Sequence, residues 1–446
     1  MRRVSGNDGD KKMSEASKEN DYFRKLRRLV HSKLIDTIQD DGIQTLGQSK
    51  EIKERVHWIV DDLKNERGAS ISAEQQTRLE QEILQELSGM GPLASLMLEP
   101  DVTDILVNGP EEVWVDRGKA LEKTDIRFDD DSHLRRFLDR IVSAQGRNLD
   151  SANPMVDAKL ADGSRLHAVI PPLSSRGAVV SIRRFRSEGI TSEQLVETGF
   201  LSSEMLKLLQ FAVEAGINIV VAGSAGCGKT TLLNALAKSI PATQRIITIE
   251  ETAELKLDHP HVIPLEARQS NMEGLGKIEL RDLVKTSLRM RADRIVVGEV
   301  RGGEVMDMLQ AMNVGHSGSM TTVHANNSHD VLRRLEALAL MSDAGVPRES
   351  IREMIASAVQ LIVHINRFRD GKRRVCSISQ VIAEGDELRV EDIYRFDVSE
   401  TTPNGEIRGQ HHYNGIQPRF LEQVKTKGFD AGAHGLGALG SGEVEA

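Results

Sequence analysis

A glycine-rich loop at residues 223–231 lies between an apolar run and a helical pattern, and no other feature constrains the fold of this chain as strongly. The run 219–222 is fully apolar and predicts a buried strand. The leucines of segment 232–236 follow at helical spacing. Four residues separate Gly223 from the Gly-Lys-Thr triplet at 228–230, which is the pattern of a phosphate-binding loop. The sequence therefore predicts a strand–loop–helix unit that binds a nucleoside triphosphate.

The residue types in this loop suit phosphate binding. Backbone N–H groups of a glycine-rich turn, together with the positive end of the next helix, hold phosphate oxygens. We expect Lys229 to reach the β- and γ-phosphates and the Thr230 hydroxyl to ligate Mg²⁺. A turn with a merely solvated lysine is the alternative, and the flanking strand and helix disfavour it. The predicted ligands are ATP and Mg²⁺, and the predicted nucleotide-binding residues are Gly223, Ser224, Ala225, Gly226, Cys227, Gly228, Lys229, Thr230 and Thr231.

Length, charge and cysteine content restrict the class of protein. A chain of 446 residues is too long for one ordinary core, so we expect two or three domains. The net charge of −9 gives no support to a nucleic-acid-binding surface. Only two cysteines occur, which indicates a reducing compartment. No apolar run is long enough to span a bilayer, so we expect a cytoplasmic protein whose membrane contact is peripheral.

Apolar spacing and the positions of glycine and proline predict the domain organisation. From residue 200 onward helical and strand patterns alternate, which is typical of a mostly parallel sheet covered by helices. The predicted fold class is α/β: a RecA-like P-loop NTPase domain, preceded by a smaller α+β domain and an N-terminal helical module. The predicted segments are a disordered tail 1–20, a helical module 21–90, an α+β domain 95–186, a linker and candidate hinge 187–199, the ATPase domain 200–425, and a disordered tail 429–446.

Two acidic groups follow predicted strands downstream of the loop. Segment 250–254 follows the apolar strand 246–249, and segment 299–304 follows the strand 294–298. Ligands in open α/β sheets bind beyond the carboxyl ends of the strands, so both groups are expected near the γ-phosphate. A solvated helix start is the alternative for either group alone. We predict that Glu250 activates the attacking water, and that Glu299 supports Mg²⁺ through its water shell.

Histidines and arginines complete the candidate site. His324 ends a strand pattern, and we predict that it bonds to phosphate or to a catalytic glutamate, although most single histidines are structural. His316 is expected to fix its own loop, and its spacing from His324 matches no zinc pattern. Arg165 and Arg183, in the domain before the loop, are candidates to reach the γ-phosphate across a domain or subunit boundary. Most surface arginines are only solvated charges, which is the alternative for both.

Together these motifs resemble those of a known family. Four segments follow one another in the chain: the phosphate loop, the acidic box 250–254, the Gly-Glu-x-Arg box 298–301 and the histidine box 315–325. This order resembles that of the secretion ATPases of type II, type IV pilus and type IV secretion systems. In that family the four segments are called the Walker A, Asp, Walker B and His boxes. Segments 102–109 and 162–172 resemble the CpaF branch, the ATPase of tight-adherence (Tad/Flp) pili. The sequence departs in having Glu251 where many relatives carry aspartate, and in lacking a paired-cysteine zinc insert.

This resemblance implies a homo-hexameric ring that docks on inner-membrane pilus platform proteins. It also implies that each nucleotide lies between the two domains, that arginines of the N-terminal domain reach it, and that hydrolysis drives domain rotation. An ATPase for conjugation or type IV secretion is the nearest alternative. A RecA-like DNA translocase is another, but the acidic balance and a total of two tryptophans and three tyrosines leave little material for base stacking, so no direct nucleic acid contact is expected. A nucleotide-gated switch with negligible turnover would need a purely structural acidic box.

Overall fold

A computed structural model defines the fold. It describes residues 90–436 except 119, 186–189, 269, 271–274, 343–344 and 386, together with residues 26, 29, 30, 33, 56–63, 72, 74 and 76–79. The chain forms two compact units, Met1–Phe185 and Arg186–Ala446. Within the described part, no helix has both the length and the apolarity needed to cross a bilayer.

The described residues of the predicted helical module, apart from residues 72 and 90, are helical. Val30, Ile59, Val60, Leu63 and Leu79 are buried in one small apolar cluster. This is the packing expected when amphipathic helices bury their apolar faces against one another. The predicted tail 1–20 lies outside the described residues.

The rest of the first unit is an antiparallel sheet packed on helices. The strand order is β3-β2-β1-β6-β5-β4, and every neighbouring pair is antiparallel. Burial alternates along most of these strands, so the sheet has one core face and one polar face. The strands are β1 Asp104–Asn108, β2 Val113–Asp116, β3 Leu121–Lys123, β4 Met155–Lys159, β5 Arg165–Val169 and β6 Val179–Arg183, and the helices are α1 Ala94–Leu98 and α2 Asp131–Ser143.

The second unit is built on a nine-stranded mixed sheet of order β15-β14-β13-β12-β7-β11-β10-β8-β9. The six strands from β12 to β9 run parallel, and β13 to β15 extend the sheet in antiparallel fashion. The central strands are continuous apolar runs that are buried along their length, as a sheet covered on both faces requires. The strands are β7 Ile219–Gly223, β8 Ile246–Glu250, β9 Val262–Glu266, β10 Arg294–Val297, β11 Met320–Val323, β12 Leu361–Arg367, β13 Arg373–Glu384, β14 Glu387–Thr401 and β15 Ile407–Tyr413.

Helices cover both faces of this sheet, and each face has its own apolar cluster. The order follows the predicted alternation of helix and strand up to residue 323, except that β9, which was not predicted, follows β8 with no helix between them. The helices are α3 Ser192–Glu197, α4 Ser203–Glu214, α5 Lys229–Ala237, α6 Leu280–Ser287, α7 Glu304–Asn313, α8 Ser328–Leu340, α9 Arg348–Ala358 and α10 Phe420–Lys425.

Three features differ from the expectations. The predicted linker 187–199 contains α3, which begins with a capping box at Thr191 and buries Leu195 in the core of the second unit. The alternation expected from residue 200 onward ends at β12, because β13, β14 and β15 follow it as antiparallel strands. The predicted disordered tail 429–446 is wrong for 429–436, because Phe429 and His434 pack on the Phe211 ring. Residues 437–446 lie outside the described part.

Candidate functional site

The glycines of the phosphate loop are required by its backbone and its neighbours. Gly223 has a φ of 153°, and a Cβ there would clash with the Ile365 carbonyl oxygen and lie 2.6 Å from Cys227 Sγ. Gly228 has a φ of 106° and immediately precedes α5. L-residues with side chains rarely adopt such values, so the tight turn depends on glycine at both positions.

Lys229 lies folded over the loop. Its Nζ donates hydrogen bonds of 3.0 Å to the carbonyl oxygens of Gly223 and Ser224. The residue is 8 % exposed, and burial lowers the pKa of the ammonium group. A phosphate placed against the loop would offset that burial by supplying negative charge, which is the role predicted for this side chain.

The remaining loop residues meet the start of α5. Lys229, Thr230 and Thr231 form its first turn, so their backbone N–H groups belong to the helix end that favours anions. Cys227 is fully buried, and burial raises the pKa of its thiol. The cysteine is therefore a packing residue of the loop, since a protonated thiol is a poor nucleophile.

The histidine box and the Gly-Glu-x-Arg box meet beside Lys229. His324 Nδ1 lies 3.4 Å from Lys229 Nζ, and His324 Nε2 lies 2.9 Å from Glu299 Oε1. Arg301 donates a bond of 2.9 Å to Glu299 and one of 3.1 Å to Glu251. The pKa of Arg301 is raised, first by its hydrogen bond to Glu299. One connected set of polar contacts thus joins the phosphate-loop lysine to both acidic boxes.

Glu250 lies at the carboxyl end of β8, and its carboxylate organises the acidic box. Oε1 accepts hydrogen bonds from the backbone N–H groups of Glu254 at 2.9 Å and Leu255 at 3.0 Å. The residue is 5 % exposed. A Cβ on Gly298 would come within 2.9 Å of Glu250 Cγ, so glycine at the end of β10 leaves space for this side chain.

The two halves of the histidine box lie at opposite ends of β11. Segment 315–319 precedes the strand, whereas His324 follows it at the same sheet edge as the loop. Ser319 Oγ donates a 2.7 Å bond to the backbone carbonyl oxygen of His316, and the role of the His316 side chain stays a prediction. His324 is therefore the histidine of this box that lies beside Lys229. Burial, followed by the charge of Lys229, lowers the pKa of His324.

The residues predicted to support Mg²⁺ fit that ion. Glu299 Oε1 is buried and accepts no hydrogen bond among the described residues, although His324 Nε2 lies 2.9 Å away. A buried carboxylate oxygen with spare acceptor capacity can accept from metal-bound water. Within the described residues no group of three or more histidine, cysteine or acidic side chains forms a metal cage. Mg²⁺ in phosphoryl-transfer sites keeps several waters and relies on substrate phosphates, so it needs no such cage, and the metal roles of Thr230 and Glu299 stay predictions.

Arg165 and Arg183 belong to the first unit and lie opposite each other in the β5–β6 register. Both project from the polar face, away from the buried Leu166 and Ile182. Arg183 is 59 % exposed in its side chain and lies 3.2 Å from Asp104 across the β1–β6 pair. Whether these arginines act at the nucleotide stays a prediction.

Two site residues had not been singled out from sequence. Arg301 is the last residue of the Gly-Glu-x-Arg box, and it bridges Glu299 and Glu251. Arg373, on β13, donates a 2.8 Å bond to the carbonyl oxygen of Gly226 in the loop. The signal for Arg301 was its place two residues after Glu299, whereas no local pattern links Arg373 to residue 226.

A parallel sheet with this loop, helix and acidic strand ends defines a P-loop protein of the α/β class. Residues 86–406 match the sequence profile of the family described as "Type II/IV secretion system protein". The chain belongs to this family.

Relatives and solved structures extend the comparison. The chain is 42% identical over 300 residues to a putative conjugal transfer protein of Mycobacterium tuberculosis, covering 66% of this chain and 85% of that protein. It is 32% identical over 311 residues to the type IV secretion system protein VirB11 of Brucella suis, covering 64% and 86%. The crystal structure of the Brucella suis VirB11 ATPase aligns with a TM-score of 0.36 at 29% identity, over 66% of this chain and 96% of that one. The pilus retraction motor PilT with bound ADP aligns with a TM-score of 0.48 at 20% identity, over 67% and 80%.

Proposed function

We propose that this protein is a Mg²⁺-dependent ATPase that hydrolyses ATP to ADP and phosphate to drive a type II/IV secretion machinery. The observation that carries the proposal is the contact chain from Lys229 through His324 to Glu299, at the sheet edge where α5 begins. A loop cation, a helix N-terminus and carboxylates at neighbouring strand ends are the groups that phosphoryl transfer needs.

Each residue has a role in this proposal. The loop N–H groups and Lys229 bind and orient the β- and γ-phosphates, and Thr230 supplies a hydroxyl for the metal. Bound Mg²⁺ neutralises charge on the phosphate oxygens. Glu299 orients water around the metal, and His324 places a neutral ring between Glu299 and Lys229. Transfer of the phosphoryl group is then mainly a matter of positioning and charge neutralisation.

Glu250 is the proposed base for the attacking water. One of its oxygens is occupied by the backbone N–H groups of Glu254 and Leu255, which hold the carboxylate in a fixed orientation. Glu251 is 54 % exposed in its side chain and paired with Arg301, so its carboxylate is less fixed and partly neutralised. This difference supports Glu250 over Glu251 for water activation.

The assembly and location complete the proposal. We infer a homo-hexameric ring in the cytoplasm that contacts the inner membrane through platform proteins. Arg165 and Arg183 are proposed to stabilise the γ-phosphate charge across a domain or subunit boundary, as arginines do in other P-loop enzymes. A ring needs a head-to-tail interface between copies, so the arginines of one copy can serve the nucleotide of another.

A Tad/Flp-type pilus is the proposed load, because segments 102–109 and 162–172 resemble that branch. The relatives named for conjugal transfer and for type IV secretion support the alternative of a conjugation or secretion ATPase. Replacing the gene with a Lys229→Ala allele separates the two loads. Loss of surface fibres with intact plasmid transfer would support the pilus, and loss of transfer with intact fibres would support conjugation.

ATP hydrolysis by the purified protein tests the activity itself. Lys229→Ala is expected to lose nucleotide binding and turnover, because the cation that meets the phosphates is removed. Lys238→Ala is the matched control, since Lys238 lies just after α5, is 48 % exposed in its side chain and pairs with Asp258. Hydrolysis by Lys229→Ala at the parental rate would refute the proposed site.

A further inference from the structure

The turn between β12 and β13 lies beside the phosphate loop. β12 runs parallel to β7, and Ile365 is the register partner of Gly223. The chain leaves β12 at Arg367, turns through 368–372, and returns as β13 beginning at Arg373. The turn is therefore carried to the same edge of the sheet as the loop that follows β7.

Arg373 contacts the loop directly. Its Nε donates a hydrogen bond of 2.8 Å to the carbonyl oxygen of Gly226. Its Cδ lies 3.6 Å from the position that a Cβ on Gly228 would occupy, so the side chain passes along the loop. Gly226, with a φ of 69°, is one of the loop's conformationally free positions. A bond to its carbonyl oxygen fixes the orientation of that peptide group.

The turn that carries Arg373 is itself held rigidly. Arg374 makes two hydrogen bonds to the Asp370 carboxylate, at 3.2 and 2.8 Å, and both side chains are buried. The Arg374 guanidinium also stacks over the Phe368 ring at 5.0 Å from its centroid, and it donates to the Ile407 carbonyl oxygen at 2.9 Å. A bidentate, buried pair that is also stacked gives a defined geometry. The Asp370–Arg374 pair therefore fixes the turn from which Arg373 reaches the phosphate loop.

We propose that Arg373 is a positioning residue for nucleotide binding, and that the β12–β13 hairpin forms part of the nucleotide site. The bond to Gly226 holds the loop peptides in the orientation that binds phosphate, which lowers the ordering cost on binding. This inference rests on the proposed function, because it assumes that the loop binds a nucleotide. It adds a residue about 150 positions from the loop in sequence, since register pairing through β12 brings the two together.

The test compares Arg373→Gln, Arg373→Lys and the control Arg369→Gln, an exposed arginine on the same turn. The affinity of each protein for a fluorescent ADP analogue and for ATP is measured, with kcat and KM for ATP and the melting temperature without nucleotide. Loss of a charged hydrogen bond is expected to weaken nucleotide binding of Arg373→Gln by about tenfold. KM should rise by a similar factor, while kcat at saturation and the melting temperature stay near the parental values. Arg373→Lys should recover part of the affinity, because an ammonium group can still donate to a carbonyl oxygen.

Two outcomes would overturn the inference, and they are distinguishable. If the parental protein binds nucleotide and Arg373→Gln binds equally well, Arg373 does not position the loop and the proposed function stands. An equal loss of affinity in Arg369→Gln would likewise overturn it, because the effect would come from general positive charge. If the parental protein binds no nucleotide, the proposed function fails, and this inference fails with it.

Discussion

His324 lies between Lys229 and Glu299, with Nδ1 at 3.4 Å from Lys229 Nζ and Nε2 at 2.9 Å from Glu299 Oε1. When the Lys229 ammonium group donates in this contact, Nδ1 is the acceptor and the proton of the neutral ring is on Nε2, toward Glu299. The lowered pKa of His324 agrees with a ring that is neutral at neutral pH. The neutral ring separates the phosphate-binding cation from the carboxylate assigned to the metal.

The first prediction concerns the pH dependence of turnover. Protonation of His324 would place a second N–H toward Lys229, and the two positive charges would repel. Because the pKa is lowered, the neutral form persists below the usual value of 6.5 and is lost only at lower pH. We expect kcat to fall as pH decreases through that lowered pKa, and this acidic limb to disappear in His324→Gln. Measuring kcat from about pH 5 to pH 8 tests this; an unchanged limb in the variant would assign it to another group.

Arg301 should shift the same limb. Its positive charge contributes to the lowered pKa of His324, and it partly neutralises Glu299. Arg301→Gln is therefore expected to raise the pKa of His324 and move the acidic limb to higher pH. The unfolding free energy should change by less than about 1 kcal/mol, since Arg301 is 51 % exposed in its side chain. Arg291→Gln, with 86 % side-chain exposure and a partner in Asp293, is the control. A limb that moves equally in both variants would contradict the local explanation.

Glu250 and Glu251 can be distinguished by matched substitutions. Glu250→Gln keeps an oxygen that can accept from the N–H groups of Glu254 and Leu255 but removes the base. We expect ATP binding to persist and kcat to fall by at least about 100-fold. Glu251→Gln should reduce kcat much less, because that carboxylate is exposed and paired with Arg301. If Glu250→Gln instead loses ATP binding, Glu250 is structural; if it turns over normally, another group activates the water.

The Asp370–Arg374 pair should contribute to stability in a pH-dependent way. The pKa of Asp370 is lowered from 3.8 to about 2, mainly by its hydrogen bonds from Arg374. Burial of the carboxyl acts in the opposite direction, and hydrogen bonds from the Lys372 and Ile407 N–H groups lower the pKa further. A carboxyl whose folded pKa is lowered stabilises the fold above its unfolded pKa and loses that effect as pH falls toward the folded value. Asp370→Asn is expected to cost about 2 kcal/mol of unfolding free energy at pH 7.

That difference should shrink between about pH 4 and pH 2, because the parental carboxyl becomes protonated there. Urea unfolding of both proteins at several pH values measures it. Asp397→Asn, an exposed aspartate paired with Arg395, should have little effect. A difference that stays constant down to about pH 2 would show that Asp370 acts through packing alone.

Local patterns account for much of this site. The apolar run of β7, the glycines and the start of α5 adjoin one another in sequence, so their joint structure follows from periodicity and the loop pattern. The apolar strand patterns before Glu250 and Glu299 place both residues at strand ends for the same reason. His324 lies near Lys229 because β11, which His324 follows, is the parallel neighbour of β7, which the phosphate loop follows.

Non-local packing accounts for what the sequence could not predict. The bond from Arg373 to Gly226 depends on β12 pairing with β7, and nothing near either residue signals that pairing. The segment 429–436 is rich in glycine, which suggested disorder, yet Phe429, His434 and Leu436 find apolar partners around Phe211. A glycine-rich composition indicates a high entropic cost of ordering this segment. The apolar burial that offsets this cost depends on the surface around Phe211, which is distant in sequence.

The placement of β7 between β11 and β12 has a consequence for synthesis and folding. Every box from the phosphate loop to His324 is made before residue 361, where β12 begins. Until that strand is added, β7 is the edge of the growing parallel sheet, and the Ile365 carbonyl that packs against Gly223 is missing. A chain ending before β12 would contain every recognisable motif and still leave β7, the strand before the phosphate loop, unpaired on one side. The site is therefore completed only late in synthesis, when β12 is added.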